Sequence, residues 1–233
     1  MVTPSERQEL LAELNTLAVR DLVGVWRRAL IADVDFAKFI LDAFPQIATS
    51  YANVSADLAV EWYQESGRDG SAYRAKAAPP PPTVQLQESA AWALGSQGDA
   101  ALARLTGTMQ RAVFSAARDT IADNATAEPG VRWARHASAN ACAFCRMMAI
   151  RSLDGTFYGS EAHAQRRGKN QVEDKYHDHC HCMPVEIRRG ATYRPPAYVE
   201  DWNEQYKTAR KDAESGDSLK ILAAWRQLDD HVH

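Results

Sequence analysis

ACAFC at Ala141–Cys145 and YHDHCHCMP at Tyr176–Pro184 hold all four cysteines of the chain: Cys142 and Cys145 in the first run, Cys180 and Cys182 in the second. Three histidines, His177, His179 and His181, are interleaved with the second pair. Thiolate sulfur and imidazole nitrogen are the ligands of a tetrahedral zinc site, and a CxxC pair presents two sulfurs from one tight turn. Two such runs, with Cys180 lying 35 positions after Cys145, are a far stronger metal signal than a lone CxxC. Disulfides fit less well. Cys180 and Cys182 are too close in sequence to bond comfortably, and MVTPSERQEL at the N-terminus has no signal-peptide pattern to imply an oxidising compartment. A thioredoxin-like CxxC needs a βαβ context that the pattern lacks. Thiolate-rich zinc sites are closed, so the expectation is one structural zinc per chain.

The expected metal ligands are Cys142 and Cys145, joined by Cys180 and Cys182, with His177 as the replacement if one of the latter is free. His179 and His181 are competitors. Along an extended segment alternate side chains point to opposite sides, which groups the three histidines on one side and Cys180 with Cys182 on the other. A tight turn would break that alternation and bring His177 in with a cysteine.

Working outward, Pro129-Gly130 turns the chain into Val131–Arg135, a short strand leading to the cysteines, and Pro184–Arg188 alternates apolar and polar as a closing strand. Between the cysteine runs, Asp154–Tyr158 has the chemistry of a turn, and His163–Lys175 reads as a basic surface loop. Upstream, Thr3-Pro4-Ser5-Glu6 is a helix start, followed by Leu10, Leu14, Leu17, Leu22, Val25 and Trp26 at helical spacing. A second amphipathic segment covers Asp33–Phe44, and Pro45 interrupts or restarts it. A third covers about Ile47–Glu65, with Tyr51, Ala52, Ala56, Ala59, Trp62 and Tyr63 on its apolar side. Pro79–Pro82 is a stiff polyproline spacer. After it come two helices within 84–123, with Asp99 suited to cap the second. A final helical region runs from Val199 to His231, broken near Ser215–Asp217. The expected fold is α+β and mainly α. It has a helical N-terminal region (1–78), a spacer (79–83), a helical pair (84–125), a zinc-stapled Cys/His block with short β-strands (126–195) and a C-terminal helical region (196–233).

Composition sets outer limits. Hydrophobic residues make up 45% and charged residues 24%, as in ordinary globular proteins. No apolar run reaches membrane length, so no membrane partner is expected. The net charge of −3 argues against a DNA-coating chain. Residues 131–190 nevertheless carry ten Lys/Arg against six Asp/Glu, a local +4. Solvated surface is the simpler reading of that bias, with phosphate contact as the alternative.

The pattern W…CxxC…HxxCxC, carried by Trp133, Cys142, Cys145, His177, Cys180 and Cys182 after a helical first half, resembles the MuF-like minor head proteins of tailed bacteriophages. The AxxWY stretch at Ala59–Tyr63 is similar to the actinobacteriophage branch, whose members are often labelled capsid maturation protease. Where members usually have HPxCRC, this chain has HDHCHC at His177–Cys182, which adds two candidate ligands. The resemblance implies a virion protein of the capsid interior, assembled in the host cytoplasm. Its implied partners are the portal protein and the major capsid or scaffolding proteins, with contact to double-stranded DNA left open.

Two enzymatic alternatives have weaker support in the residues. A serine protease needs a nucleophile, base and oxyanion hole. His136 and Ser138 are neighbours in sequence, but there is no GxSxG elbow and no HExxH helix, and His163 reads as a loop residue. His177-Asp178-His179 after a CxxC is similar to His-Me finger nucleases. Such enzymes also need a later Asn or His, for which Asn203 is the candidate. No catalytic and no cofactor-binding residue is therefore assigned.

Overall fold

Two reciprocal hydrogen bonds start the first helix. The Glu6 backbone N–H donates to Thr3 Oγ1 at 3.3 Å, and the Thr3 N–H donates to the Glu6 carboxylate at 2.7 Å. With Pro4 at the first helical position, this capping box opens α1 (Pro4–Ile31). The structure is a computed structural model and describes residues 1–32, 34–67, 72–160, 166–167, 170–171 and 179–228. It divides into two compact units, the first built on Met1–Thr120 and the second beginning at Ile121. Among the described residues the fold is mostly helical with small antiparallel strand pairs, as the sequence pattern implies.

In the first unit, α1 buries Leu11, Ala18, Leu22, Val25, Trp26 and Ala29. Leu10 and Leu17, counted inward from their spacing, are instead 40% and 42% exposed. Each has a neighbour one position on, Leu11 and Ala18, that takes the inward place, and periodicity alone does not choose between adjacent registers. The next helix, α2, runs unbroken over Phe36–Ser66 and contains Pro45. This corrects the expected interruption. An interior proline costs about 3 kcal/mol. Here it sits within one continuous buried face, Ile40, Phe44, Ala48, Ala52, Ala56 and Ala59, where each large side chain contributes about 1.5–3 kcal/mol on burial. Asp35 caps α2 by accepting from Lys38 N–H at 3.0 Å. Trp62 and Tyr63 are core residues, and Tyr51 is half-buried with its hydroxyl donating to Asp21 at 2.6 Å.

Helix α3 (Thr83–Leu94) starts directly after the four prolines, and α4 (Gly98–Ala127) follows. Asp99 lies in the first turn of α4 and not at its cap, still at the positive end of the helix dipole. Ala116 of α4 packs with Ala52 and Ala56 of α2. The small side chains let the backbones come close enough for Ser55 Oγ to donate to the Val113 carbonyl at 2.6 Å. The backbone N–H of Ala78 donates to Thr120 Oγ1 at 2.9 Å and fixes the chain entering the prolines. Trp92 is 54% exposed and lies under the Arg104 guanidinium, 4.7 Å from its ring centre.

The second unit is organised by β1 (Arg132–His136). Its later partner, Met183–Ile187, pairs with it antiparallel, so that Trp133 faces Glu186 and Arg135 faces Pro184. Tyr158 bridges the other edge of β1 through two 2.8 Å backbone hydrogen bonds with Trp133. The Met183–Ile187 strand therefore lies at an edge, where a proline is tolerated. Between these strands come α5 (Ala143–Ala149), a 3-10 turn over Ile150–Asp154, and a two-stranded ribbon, β2 (Arg166–Arg167) with β3 (Asn170–Gln171). Met183–Ile187 is thus β4. The 3-10 turn ends at Gly155, whose φ of +72° is readily available only to glycine. The basic segment His163–Lys175, expected as a loop, contains that ribbon; its other residues lie outside the described ones.

Helices α6 (Tyr198–Asp212) and α7 (Ser218–Leu228) complete the second unit. Asp217 Oδ1 accepts from the N–H groups of Leu219 and Lys220 and restarts the helix at the expected break. A salt bridge of 2.6 Å between Arg188 and Glu128, both largely buried, ties the chain after β4 to the chain before β1.

The alanine contact in the first unit has no room for a larger side chain. Ala56→Leu should destabilise the protein by roughly 1–3 kcal/mol through overpacking, read as a lower denaturant midpoint, whereas Leu17→Ala on the exposed face should shift it by less than about 0.5 kcal/mol.

Candidate metal centre

Both cysteine runs are brought to the same face of the small sheet. Trp133 and Arg135 share one face of β1, and the cross-strand pairing places Pro184 and Glu186 of β4 on that face with them. Cys182 immediately precedes β4 and has the parity of Pro184, so it enters on the same side, as does Cys180 two residues earlier. The turn that delivers them is made at His179, whose φ is +63°. On the other side of the cluster, Cys142 is the N-cap of α5 and Cys145 lies in its first turn. The CxxC therefore straddles a helix start, so the turn that presents its two sulfurs is the first turn of α5. Buried Ala143, Phe144, Met147 and Met148 explain this, since they give the segment an apolar helix to form.

The sulfurs converge. Cys145 Sγ lies 3.8 Å from Cys180 Sγ, and the Sγ atoms of Cys145, Cys180 and Cys182 all lie within 4.8 Å of one another. Cys142 is in side-chain contact with Cys145. All four cysteines are buried and unbridged. Three buried cysteines, Cys145, Cys180 and Cys182, are thus close enough to bind one metal ion. Around them, Arg135 donates to Cys145 Sγ at 3.7 Å, and Ser138 Oγ lies 3.9 Å from Cys182 Sγ. The Tyr198 hydroxyl donates to the Ala137 carbonyl at 2.7 Å. Burial, and then the Cys182 charge, raise the Tyr198 hydroxyl above its ordinary range.

Crowding decides the protonation of the metal-free cluster. Contacts with Cys142, Cys180 and Cys182, and then burial, push the Cys145 thiol well above its usual value. Cys182 is drawn down by Cys145 but pushed up more by Cys180 and by burial, and stands at about 12. Adjacent thiolates in a dry pocket repel one another, so without a metal ion the protons stay on. A bound metal ion replaces those protons.

Of the other sequence candidates, His177, Asp178 and His163 lie outside the described residues. His179 is exposed on its turn, and His181 is half-buried. His136 Nδ1 lies 2.9 Å from the Tyr193 hydroxyl, while Ser138 Oγ donates to Asn140 Oδ1 at 2.9 Å. Each of the two hydrolase-like residues is therefore engaged with a different partner. Sequence reasoning overlooked Arg135 and Ser138 as neighbours of the sulfurs. Arg135 had a positional signal: it ends the strand expected over Val131–Arg135, two positions after Trp133 and on the way to the cysteines.

A model of a phage-type viral protein family matches residues 2–209, across the helical region and all four cysteines. The chain belongs to that family, the VG15 protein family. No curated protein and no solved structure matches it. Among the described residues no helix is long and apolar enough to cross a membrane.

The raised thiol values set opposite pH responses for the two forms of the protein. In the metal-stripped protein the folded state favours neutral thiols. Their contribution is present below the ordinary value of 9.0 and is lost as pH climbs toward about 12. Metal-loaded protein holds thiolates and should instead lose stability as pH falls. Thermal melts of both forms from about pH 5 to about pH 10.5 should slope in opposite directions, and parallel slopes would mean that the cluster takes no metal.

Proposed function

We propose that this chain is a MuF-like minor head protein of a tailed phage, a structural and assembly component bound near the portal inside the capsid. Its partners on this reading are the portal protein and the major capsid or scaffolding proteins. Membership of a phage-type family supports the viral setting. The observation that carries the non-enzymatic reading is the burial of all four cysteines, each 7% exposed or less. Catalytic metal sites keep a position open for water or substrate, whereas structural sites surround the ion with protein ligands.

The metal on this reading is zinc. With Zn–S bonds of about 2.3 Å, tetrahedral geometry puts neighbouring sulfurs about 3.8 Å apart, and Cys145 and Cys180 stand at 3.8 Å. Cys142, Cys145, Cys180 and Cys182 supply the ligand set, with His177 as the replacement if one cysteine is free. Zinc there would link the start of α5 to the approach to β4, stabilising a unit whose β1–β4 sheet is only five residues long in each strand.

The test is the mass of the major capsid protein, co-expressed with this chain and without it. An unchanged capsid mass, with this chain retained in assembled heads, is the expected result. A capsid chain shortened only in its presence would overturn the structural reading in favour of a capsid maturation protease. Metal analysis of freshly purified protein should find one zinc per chain. Cys145→Ser should abolish its tight retention and lower the melting temperature, because whole structural sites contribute on the order of 10 kcal/mol to folding.

A further inference from the structure

Arg135 is 1% exposed, yet its guanidinium is aimed at sulfur and lies 3.7 Å from Cys145 Sγ. Its planar group sits near the rings of Trp133 and Phe144, at 5.9 and 5.8 Å from their centres, which hold it in orientation. Arginine keeps its charge at every accessible pH, so the cation is a fixed feature of this pocket. A cation stabilises the ionised form of a neighbouring group over its neutral form. Thiols are neutral, and thiolates on a metal are not, so a guanidinium 3.7 Å from Cys145 Sγ stabilises the metal-loaded cluster more than the protonated one.

Charge also discriminates between ligand sets. A divalent ion with four thiolates keeps two uncompensated negative charges, and with three thiolates and an imidazole it keeps one. A fixed cation beside Cys145 and close enough to act on the Cys182 charge favours the more anionic set. We propose that Arg135 is the built-in counter-ion of this site, a positioning residue that selects the all-cysteine ligand set over one that includes His177. The inference rests on the metal reading above and deepens it. Hydrogen bonds to coordinated ligands tune metal affinity by about 10- to 100-fold, which sets the expected scale.

The test compares the full chain with Arg135→Met, which keeps much of the side-chain bulk without the charge, and Arg135→Lys, which keeps the charge. Each is titrated with Co(II) and then Zn(II) against a competing chelator, and the metal-free forms are melted separately. The wild type should give the sulfur-to-cobalt charge-transfer intensity of four thiolates. Arg135→Met should bind about 10- to 100-fold more weakly and show fewer thiolates, and Arg135→Lys should recover most of the affinity. A guanidinium that serves packing alone would lower metal-free melting in both variants without changing the number of thiolates, which would overturn the proposal. So would a wild-type cobalt spectrum with three sulfurs and one imidazole that is altered by His177→Ala. Absence of any cobalt or zinc uptake by the wild type would instead remove the metal reading itself, and the counter-ion role with it.

Discussion

Sulfur crowding in one dry pocket is the constraint on which the second unit depends. The cysteines come from the start of α5 and from the approach to β4, segments separated by the 3-10 turn and the ribbon. Bringing Cys145, Cys180 and Cys182 within 4.8 Å of one another closes a long loop, and the entropy of that closure has to be offset by what the cluster gains. Thiol-to-thiol contact alone is a weak interaction. Replacing the protons with one metal ion would convert the same geometry into strong bonds.

The rest of the second unit follows from orienting that pocket. Two five-residue strands are too short to be stable alone. They are supported by the Tyr158 bridge on one edge and by the Glu128–Arg188 pair beyond their ends. The opposite face of the sheet packs Ala134, Val185 and Ile187 with Phe157 and Tyr193. Buried Arg146 then links α5 to the last helices. Its Nε donates to the Ala141 carbonyl at 2.7 Å, and its guanidinium lies 5.0 Å from the Trp202 ring centre. Gln205 accepts from Trp225 Nε1 at 3.2 Å, joining α6 to α7. Arg146, Gln205 and Trp225 are thus tied to backbone or to one another.

The first unit solves a different problem with different residues. Its helices are long, and they approach closely because alanine lines the contact between α2 and α4. Close approach favours dispersion and permits hydrogen bonds between side chain and backbone, such as Ser55 to Val113. The same face carries Pro45 through α2 without a break, because tertiary packing outweighs a local preference.

Much of this was legible in the sequence. The capping box at Thr3–Glu6, the strands flanking the cysteines, the helix restart at Asp217 and the metal-type cysteine spacing each depend on residues a few positions apart. Local chemistry is sufficient to read such features. The continuity of α2, the inward choice of Leu11 over Leu10, and the helical start at Cys142 were decided by burial against distant segments, which no local pattern encodes. Arg135 is the clearest case. The sequence determined that four cysteines would seek one another, but only the pairing of β1 with β4 put a guanidinium beside their sulfurs, because a strand's face is set by the partner it meets and not by its own residues.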